Sequence, residues 1–559
     1  MKSVSVQKAV IAGLALLSIA YYVSTTAGDL GRTTFDDAYI TARYAKHWLA
    51  GQGFSWNPAD GPAFGVTSPA YLVVITAAMR LTGASDGAVV TGTSFTAGLL
   101  AIVALVLLGF FVQERRWSEK SWLPLLVVPC VLLIPPFRYH SLTGMETTFS
   151  LFANSLLALA IVIAVRRRSA GALVFCLAAG ALSLAARPDN GIYALCLPPA
   201  MFVASDRSLW RYARKYALVF AAIIGLGLVA NKLLFGDFVP LPFFVKSGHF
   251  YEGYVGAAKW NAVTEVFRFC AAALPALLVL VATVRTRTLP QVAAIAVAIV
   301  ITFGYYATVT QVMGWEARFY YPTLAFCFLA AFVSMAAGLG VRGAVTAPSS
   351  PPAAAWRLFA GVVVLVLALS VPLRESAASL WEKHVIGSPQ AVRSSTQYRM
   401  PKTELPLLHW WQSITAMSDL LARMPRGMVF AASEYGLLGS RFPNVPIVDL
   451  VGLNDRTIAH HGFSATYVLS RRPDLIWFPH PDYTRMIASI LDDPVFQRDY
   501  EYYPRAYDYG IALRKTSNLY PAVRRELDQQ FARIYGGAKL SDDLAQPVGA
   551  YGVTPGSMH

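Results

Sequence analysis

Apolar runs of about twenty residues recur along the chain as far as residue 373, each separated from the next by a short polar cluster. Runs of that length match the ~20 residues that a helix needs to cross a bilayer. They predict helices at about 9–27, 88–112, 121–137, 147–165, 170–186, 191–205, 216–234, 262–284, 289–308, 319–340 and 356–373, about eleven spans. The first, preceded by Lys2 and Lys8, reads as an uncleaved helix with its N-terminus inside. Thr67–Leu81 is too short to span and carries Arg80 near its end. It reads as a helix at the outer interface, or re-entrant.

After Leu373 the pattern changes. Residues 374–559 hold no run long enough to span. Strand-like segments at Gly427–Ser433, Val445–Leu450, Asp474–Phe478 and Tyr509–Arg514 alternate with amphipathic helical ones at Leu405–Met424, Tyr483–Leu491 and Pro521–Tyr535. That alternation predicts a small α/β domain. The expected organisation is therefore a transmembrane domain over 1–373, with a first outer loop at 28–87, and an extracytoplasmic α/β domain over 374–559. The Pro/Ala/Ser-rich stretch Ala347–Ala355 reads as a linker within an inner loop.

Charge orients the spans. The loops assigned inside carry 16 Lys and Arg but only three acids, Glu114, Glu119 and Asp206. The outer loops and span ends up to residue 373 balance at 11 basic and 11 acidic residues. This positive-inside bias places the C-terminal domain outside. It also accounts for the net charge of +15 without nucleic acid as a partner. The composition, 55% hydrophobic and 14% charged, excludes a soluble enzyme and a disordered or fibrous chain. The five cysteines, all in apolar segments and without a CxxC pair, predict neither disulfides nor a zinc site.

Most acids of the membrane half face outward, so the chemistry is expected there. Asp36 and Asp37 open the first outer loop, followed by a helical stretch with Tyr39, Ala42, Ala45 and Leu49 on one face and a turn at Gly51 and Gly53. One Asp suffices as an N-cap; a pair at a bilayer edge also suits a general base or a metal ligand. On the same side lie Glu146, Arg187-Pro188-Asp189, the aromatic loop that opens with FVPLPFFVK and contains Lys246, and Gly314-Trp315-Glu316-Ala317-Arg318. Taken singly, these read as a helix N-terminal acid, a local ion pair and interfacial cations. Their convergence on one face points to a shared site. His47, His140 and His249 form no metal motif, and no GxSxG, P-loop, GxGxxG or HExxH stands in a suitable context. In the C-terminal region Asp449–Asp455 reads either as a strand-to-helix turn or as a loop that holds sugar hydroxyls through Asp449 and Asn454.

FDDAYITARYAKHWLAGQGFSWNP, TSP, LTGMET, ARPD, FVPLPFFVK and IVDLVGLND together resemble the GT-C class of polyprenyl-phosphate-sugar glycosyltransferases. More specifically they resemble the arabinofuranosyltransferase B family, which adds terminal β-(1→2) arabinofuranose. The family's Gly-Asp before the tenth span is here Gly314-Trp315, with Glu316 standing in. The resemblance implies a bacterial inner-membrane enzyme moving D-arabinofuranose from a polyprenyl-phosphate donor to a cell-envelope glycan or glycoprotein, among membrane lipids. Transfer of another sugar such as mannose, a lipid-linked-sugar flippase and a non-catalytic scaffold are the other readings. For transfer, Asp37 is the candidate base, with Asp36 its partner or the ligand of a divalent cation that nothing in the sequence requires. Arg43, Lys246 and Arg318 are candidates for the donor phosphate. Glu146, Arg187, Asp189, Glu316, Asp449 and Asn454 are expected to bind substrate.

Overall fold

The computed structural model describes residues 2–33, 35–113, 122–248, 259–311, 314–336, 410–504 and 506–544. The linker at 347–355 and the last expected span, 356–373, lie outside the described residues. The chain forms two compact units, neither continuous in sequence. Unit 1 comprises Met1–Phe35, Thr67–Val239 and Ala257–Thr396; unit 2 comprises Asp36–Val66, Pro240–Gly256 and Gln397–His559. Most of the first outer loop, from Asp36 on, thus groups with the C-terminal residues.

Unit 1 is helical. Among the described residues, seven helices are long and apolar enough to cross a membrane, or eight if a bent pair counts as one span. Thr147–Arg167 is the central one, packed against Asp86–Val112 and Ala170–Ala186. Arg207–Phe235 is outermost, with Leu218, Leu226 and Leu233 exposed along it. A helix apolar all round yet exposed requires an apolar surrounding. Two expected spans, Ala170–Ala186 and Asn190–Ser205, are helices of 17 and 16 residues, the second with Pro198 and Pro199 inside. The run expected at 121–137 is not one straight span. Leu123–Leu132 and Pro135–Leu142 meet at 68°, because Pro135 and Pro136 cannot continue the first helix. Pro69–Thr82 is a helix of 14 residues, about 21 Å long and short of a ~30 Å hydrocarbon core.

Unit 2 contains a five-stranded sheet of order β2-β1-β3-β5-β4. Its strands are β1 (Phe430–Ala432), β2 (Ile447–Asp449), β3 (Leu475–Trp477), β4 (Tyr500–Tyr503) and β5 (Ile511–Arg514). β1 pairs in parallel with β2 and β3, registering Phe430 against Ile447 and Leu475; β5 runs antiparallel between β3 and β4. Every residue of β1, β2 and β3 is buried, as parallel strands with both faces covered require. Four of the five strands fall within the strand-like segments. Helices Trp410–Leu421, Thr484–Leu491 and Tyr520–Ile534 fall within or beside the three amphipathic stretches. β4 was not expected, although its sequence, YEYY, is rich in residues that favour strands.

Candidate functional site

Unit 1 gathers four charges at the ends of its spans. Gly144 turns the chain with φ +74°, a conformation that suits glycine, and Tyr71 Oη donates to its carbonyl at 2.7 Å. Two residues on, Glu146 sits at the start of Thr147–Arg167 without capping it. Its carboxylate instead accepts from Arg318 Nη2 at 3.2 and 3.4 Å and lies 3.6 Å from Arg187 Nη1. Pro188 keeps Arg187 extended and ends Ala170–Ala186 there. Arg187 then closes a two-point bridge to Asp189, Nε–Oδ1 3.0 Å and Nη2–Oδ2 2.7 Å. Tyr306 donates to the same Asp189 oxygen. Both arginines are buried and lie over the Phe319 ring, and Arg318 also lies over Phe35. Burial alone would raise the Glu146 carboxyl, but the Arg318 and Arg187 cations hold it at about 2. Arg187 Nη1 has no hydrogen bond among the described residues.

The segment that delivers Arg318 is strained. Glu316 and Ala317 are consecutive non-glycine residues at φ +55° and +60°. Two neighbours hold them there. His140 Nε2 meets the Glu316 carbonyl at 2.8 Å, and the buried carboxylate of Glu265 accepts from Ala317 N and from Arg268, 2.6 Å away. The structure thus brings together Glu146, Arg187, Asp189 and Arg318, with Glu316 fixed by its backbone. Glu265 was not anticipated, although a carboxylate inside an apolar helix is itself a signal. Also missed was a buried polar knot. Asn154 donates to Asn190 and to the Pro322 carbonyl, Ser183 donates to Asn154, and Asn190 donates to Ser150. It is uncharged and closed on itself, as helix packing in an apolar medium favours.

Unit 2 holds the rest. Asp36 is buried, and its two oxygens accept from Gly436 N at 2.6 Å and Leu437 N at 2.8 Å. It therefore caps the helix Gly436–Arg441 from 400 residues away, since Tyr435 at that N-terminus offers no side-chain cap. A Cβ at Gly436 would stand 2.0 Å from the Asp36 carbonyl oxygen. Asp37 is half-buried at the start of Ala38–Leu49 and makes no capping bond. Glu434 completes a trio. Burial, then the carboxylates of Asp36 and Asp37, push its carboxyl well above the usual range, while the Trp410 side chain donates to it. Burial raises Asp36 itself to about 6 against the pull of its two amides. Among the described residues, no three His, Cys, Asp or Glu are placed to hold a metal ion.

Other residues expected at the site are committed to the fold of unit 2. Arg43 is fully buried over the Trp56 ring, and its five N–H donors are all engaged. Nε donates to Trp56 O, Nη1 to Gly439 O and Phe442 O, and Nη2 to Asn57 Oδ1 and Val445 O. No N–H remains for a phosphate, so Arg43 acts here as a clamp. Asp449 accepts from Val451 N, Gly452 N, Asn454 N and Asn454 Nδ2 at 2.6–3.1 Å. Asn454 Oδ1 accepts from Tyr44 Oη, and its Nδ2 also donates to Tyr435 Oη. These bonds shape the turn at Gly452 and leave Asp449 and Asn454 saturated by protein rather than by sugar. Lys246 is half-buried in the short helix Leu241–Ser247, whose first amide donates to the Phe64 carbonyl.

The model of a domain of unknown function, DUF8728, matches residues 394–524. No curated protein matches the chain. Two crystal structures of ArnT from Cupriavidus metallidurans are similar to it. The apo protein shares 12% identity, over 88% of this chain and 97% of that one, with a TM-score of 0.48. The form bound to undecaprenyl phosphate also shares 12% identity, over 90% and 98%, with a TM-score of 0.49.

Proposed function

We propose that the protein is a GT-C glycosyltransferase of the bacterial inner membrane, with its C-terminal domain outside. It moves a sugar, D-arabinofuranose, from a polyprenyl-phosphate donor to a cell-envelope glycan or glycoprotein. The observation that carries this reading is the buried charge cluster of unit 1, where two arginines share Glu146 at the ends of apolar spans. Such cations suit the phosphate of a lipid whose tail lies along apolar helices. In transfer, the bond from the anomeric carbon to the phosphate oxygen breaks and one to an acceptor oxygen forms. Arg318 and Arg187 meet the charge left on the phosphate. Asp37, held in place by its anchored neighbour Asp36, takes the acceptor's proton. Orientation rests on the positive-inside charge bias.

The test is radiolabelled transfer from polyprenyl-phosphate arabinofuranose and from polyprenyl-phosphate mannose, in membranes with and without the protein. Protein-dependent transfer of arabinose alone is expected. Transfer of mannose alone would change the sugar, and no transfer from any such donor would refute the reading.

A further inference from the structure

The chain leaves β1 for β2 on one side and then crosses to β3 on the other. In open sheets with parallel strands, the crevice outside the carboxyl ends of two strands whose connections diverge in this way is where ligands bind. Here those ends are Ser433-Glu434 after β1 and Phe478-Pro479-His480 after β3. They are tied together, because His480 N donates to Ser433 Oγ at 3.1 Å. Ser433, Glu434, His480 and Asp482 are all only partly buried, unlike the strands they follow. The His480 ring stands edge-on to Tyr509, and its Nδ1 accepts from Asp482 N at 3.2 Å, which puts the proton of the neutral ring on Nε2.

This edge of the sheet also borders the proposed base. Asp36 is anchored on Gly436 and Leu437, two and three residues past Glu434, and Asp37 follows it in the chain. A base must lie within hydrogen-bond reach of the hydroxyl it deprotonates. The geometry points to the carboxyl edge of β1 and β3 as the acceptor subsite, taking a neutral glycan whose hydroxyls bond Ser433, Glu434 and His480. The inference rests on the transferase reading given above. Carboxyl groups of Asp36, Asp37, Glu434 and Asp482 gather here, so an anionic acceptor is disfavoured. Burial and the two facing aspartates favour the protonated form of Glu434, which lets it donate to a sugar oxygen.

The experiment uses the full-length protein in detergent with two variants, Ser433→Ala and His480→Gln, whose thermal melting is checked against wild type. Saturation-transfer NMR with a neutral arabinofuranosyl oligosaccharide, and with a galacturonic acid oligomer as the anionic control, reads glycan binding. Undecaprenyl phosphate binding is measured in parallel. Wild type is expected to bind the neutral glycan alone. Each variant is expected to bind it ~5–10-fold more weakly, with acceptor KM raised alike and undecaprenyl phosphate binding unchanged. Folded variants with unchanged glycan affinity and KM would overturn the subsite, as would a wild type that binds no neutral glycan. If the variants lose glycan binding but wild type transfers no sugar, the subsite stands and the transferase reading falls.

Discussion

Replacing Arg43 separates two roles that its sequence position allows, a phosphate ligand and a clamp within unit 2. The structure gives the guanidinium five hydrogen bonds, all to neutral acceptors, and a position 4.4 Å over the Trp56 ring. At roughly 1.5 kcal/mol net per bond from a charged donor, their complete loss in Arg43→Ala would total about 7.5 kcal/mol. Carbonyls regain some partners as the site relaxes, so about 3 kcal/mol is the expected cost. That raises local opening ~10²-fold. Arg43→Lys keeps the charge but offers three donors from one point and recovers only part of this. Hydrogen exchange on the full-length protein, under conditions where it tracks the opening equilibrium, reads the effect at the amides of Gly436–Asp449. Protection should fall there and stay unchanged in Thr147–Arg167. Unchanged protection, combined with weakened undecaprenyl phosphate binding, would refute the clamp and return Arg43 to the phosphate.

The paired aspartates should divide. Asp37→Asn is expected to lower transfer ~10²–10⁴-fold at unchanged melting temperature, whereas Asp36→Ala should cost ~1–2 kcal/mol of stability by removing its cap on Gly436–Arg441; unchanged melting of Asp36→Ala would contradict the assignment. Gly436→Ala puts a Cβ 2.0 Å from the Asp36 carbonyl oxygen, so exchange protection around 436–441 should collapse, and a normal pattern there would refute the close approach. Glu146 should act at acid pH. With its carboxyl held at about 2 against an ordinary 4.5, its stabilisation is complete above pH 4.5 and lost as pH falls towards 2, on the order of 3 kcal/mol. Wild-type melting should therefore drop between pH 5 and 3 more steeply than that of Glu146→Gln, and parallel curves would exclude the cluster as its cause.

The helices of unit 1 were legible because each apolar run reports its own length. The runs at 170–186 and 191–205 already stop short at 17 and 15 residues, and the helices follow them; what the runs do not encode is where a proline pair bends one of them, as at Pro135-Pro136. The sheet was legible as short apolar runs set between helical stretches, except for β4, where Glu501 interrupts the run. Asp36, Asp37, Glu146, Arg187 and Arg318 stood out because charges beside apolar spans are costly. Arg43 stood out for the same reason, yet the carbonyls that satisfy it belong to residues 439–445, and no local pattern announces a bond across that separation. Glu434 carried no signal either. It matters only because the amides two and three residues later receive Asp36.

The discontinuity of unit 2 has a consequence during translation. Arg43 and its acceptors at Gly439 and Val445 are 396 and 402 residues apart. At about 5–20 residues per second, the ribosome adds that length in ~20–80 s. Throughout that interval the nascent Asp36–Val66 segment has neither the amides that Asp36 caps nor the carbonyls at 439–447 that receive Arg43 and Trp56. A stop codon placed before β1 makes the interval permanent. Removing residues 374–559, the obvious way to isolate the membrane half, therefore also strips the first loop of its partners, and any lost transfer would report an unfinished loop as much as a missing domain.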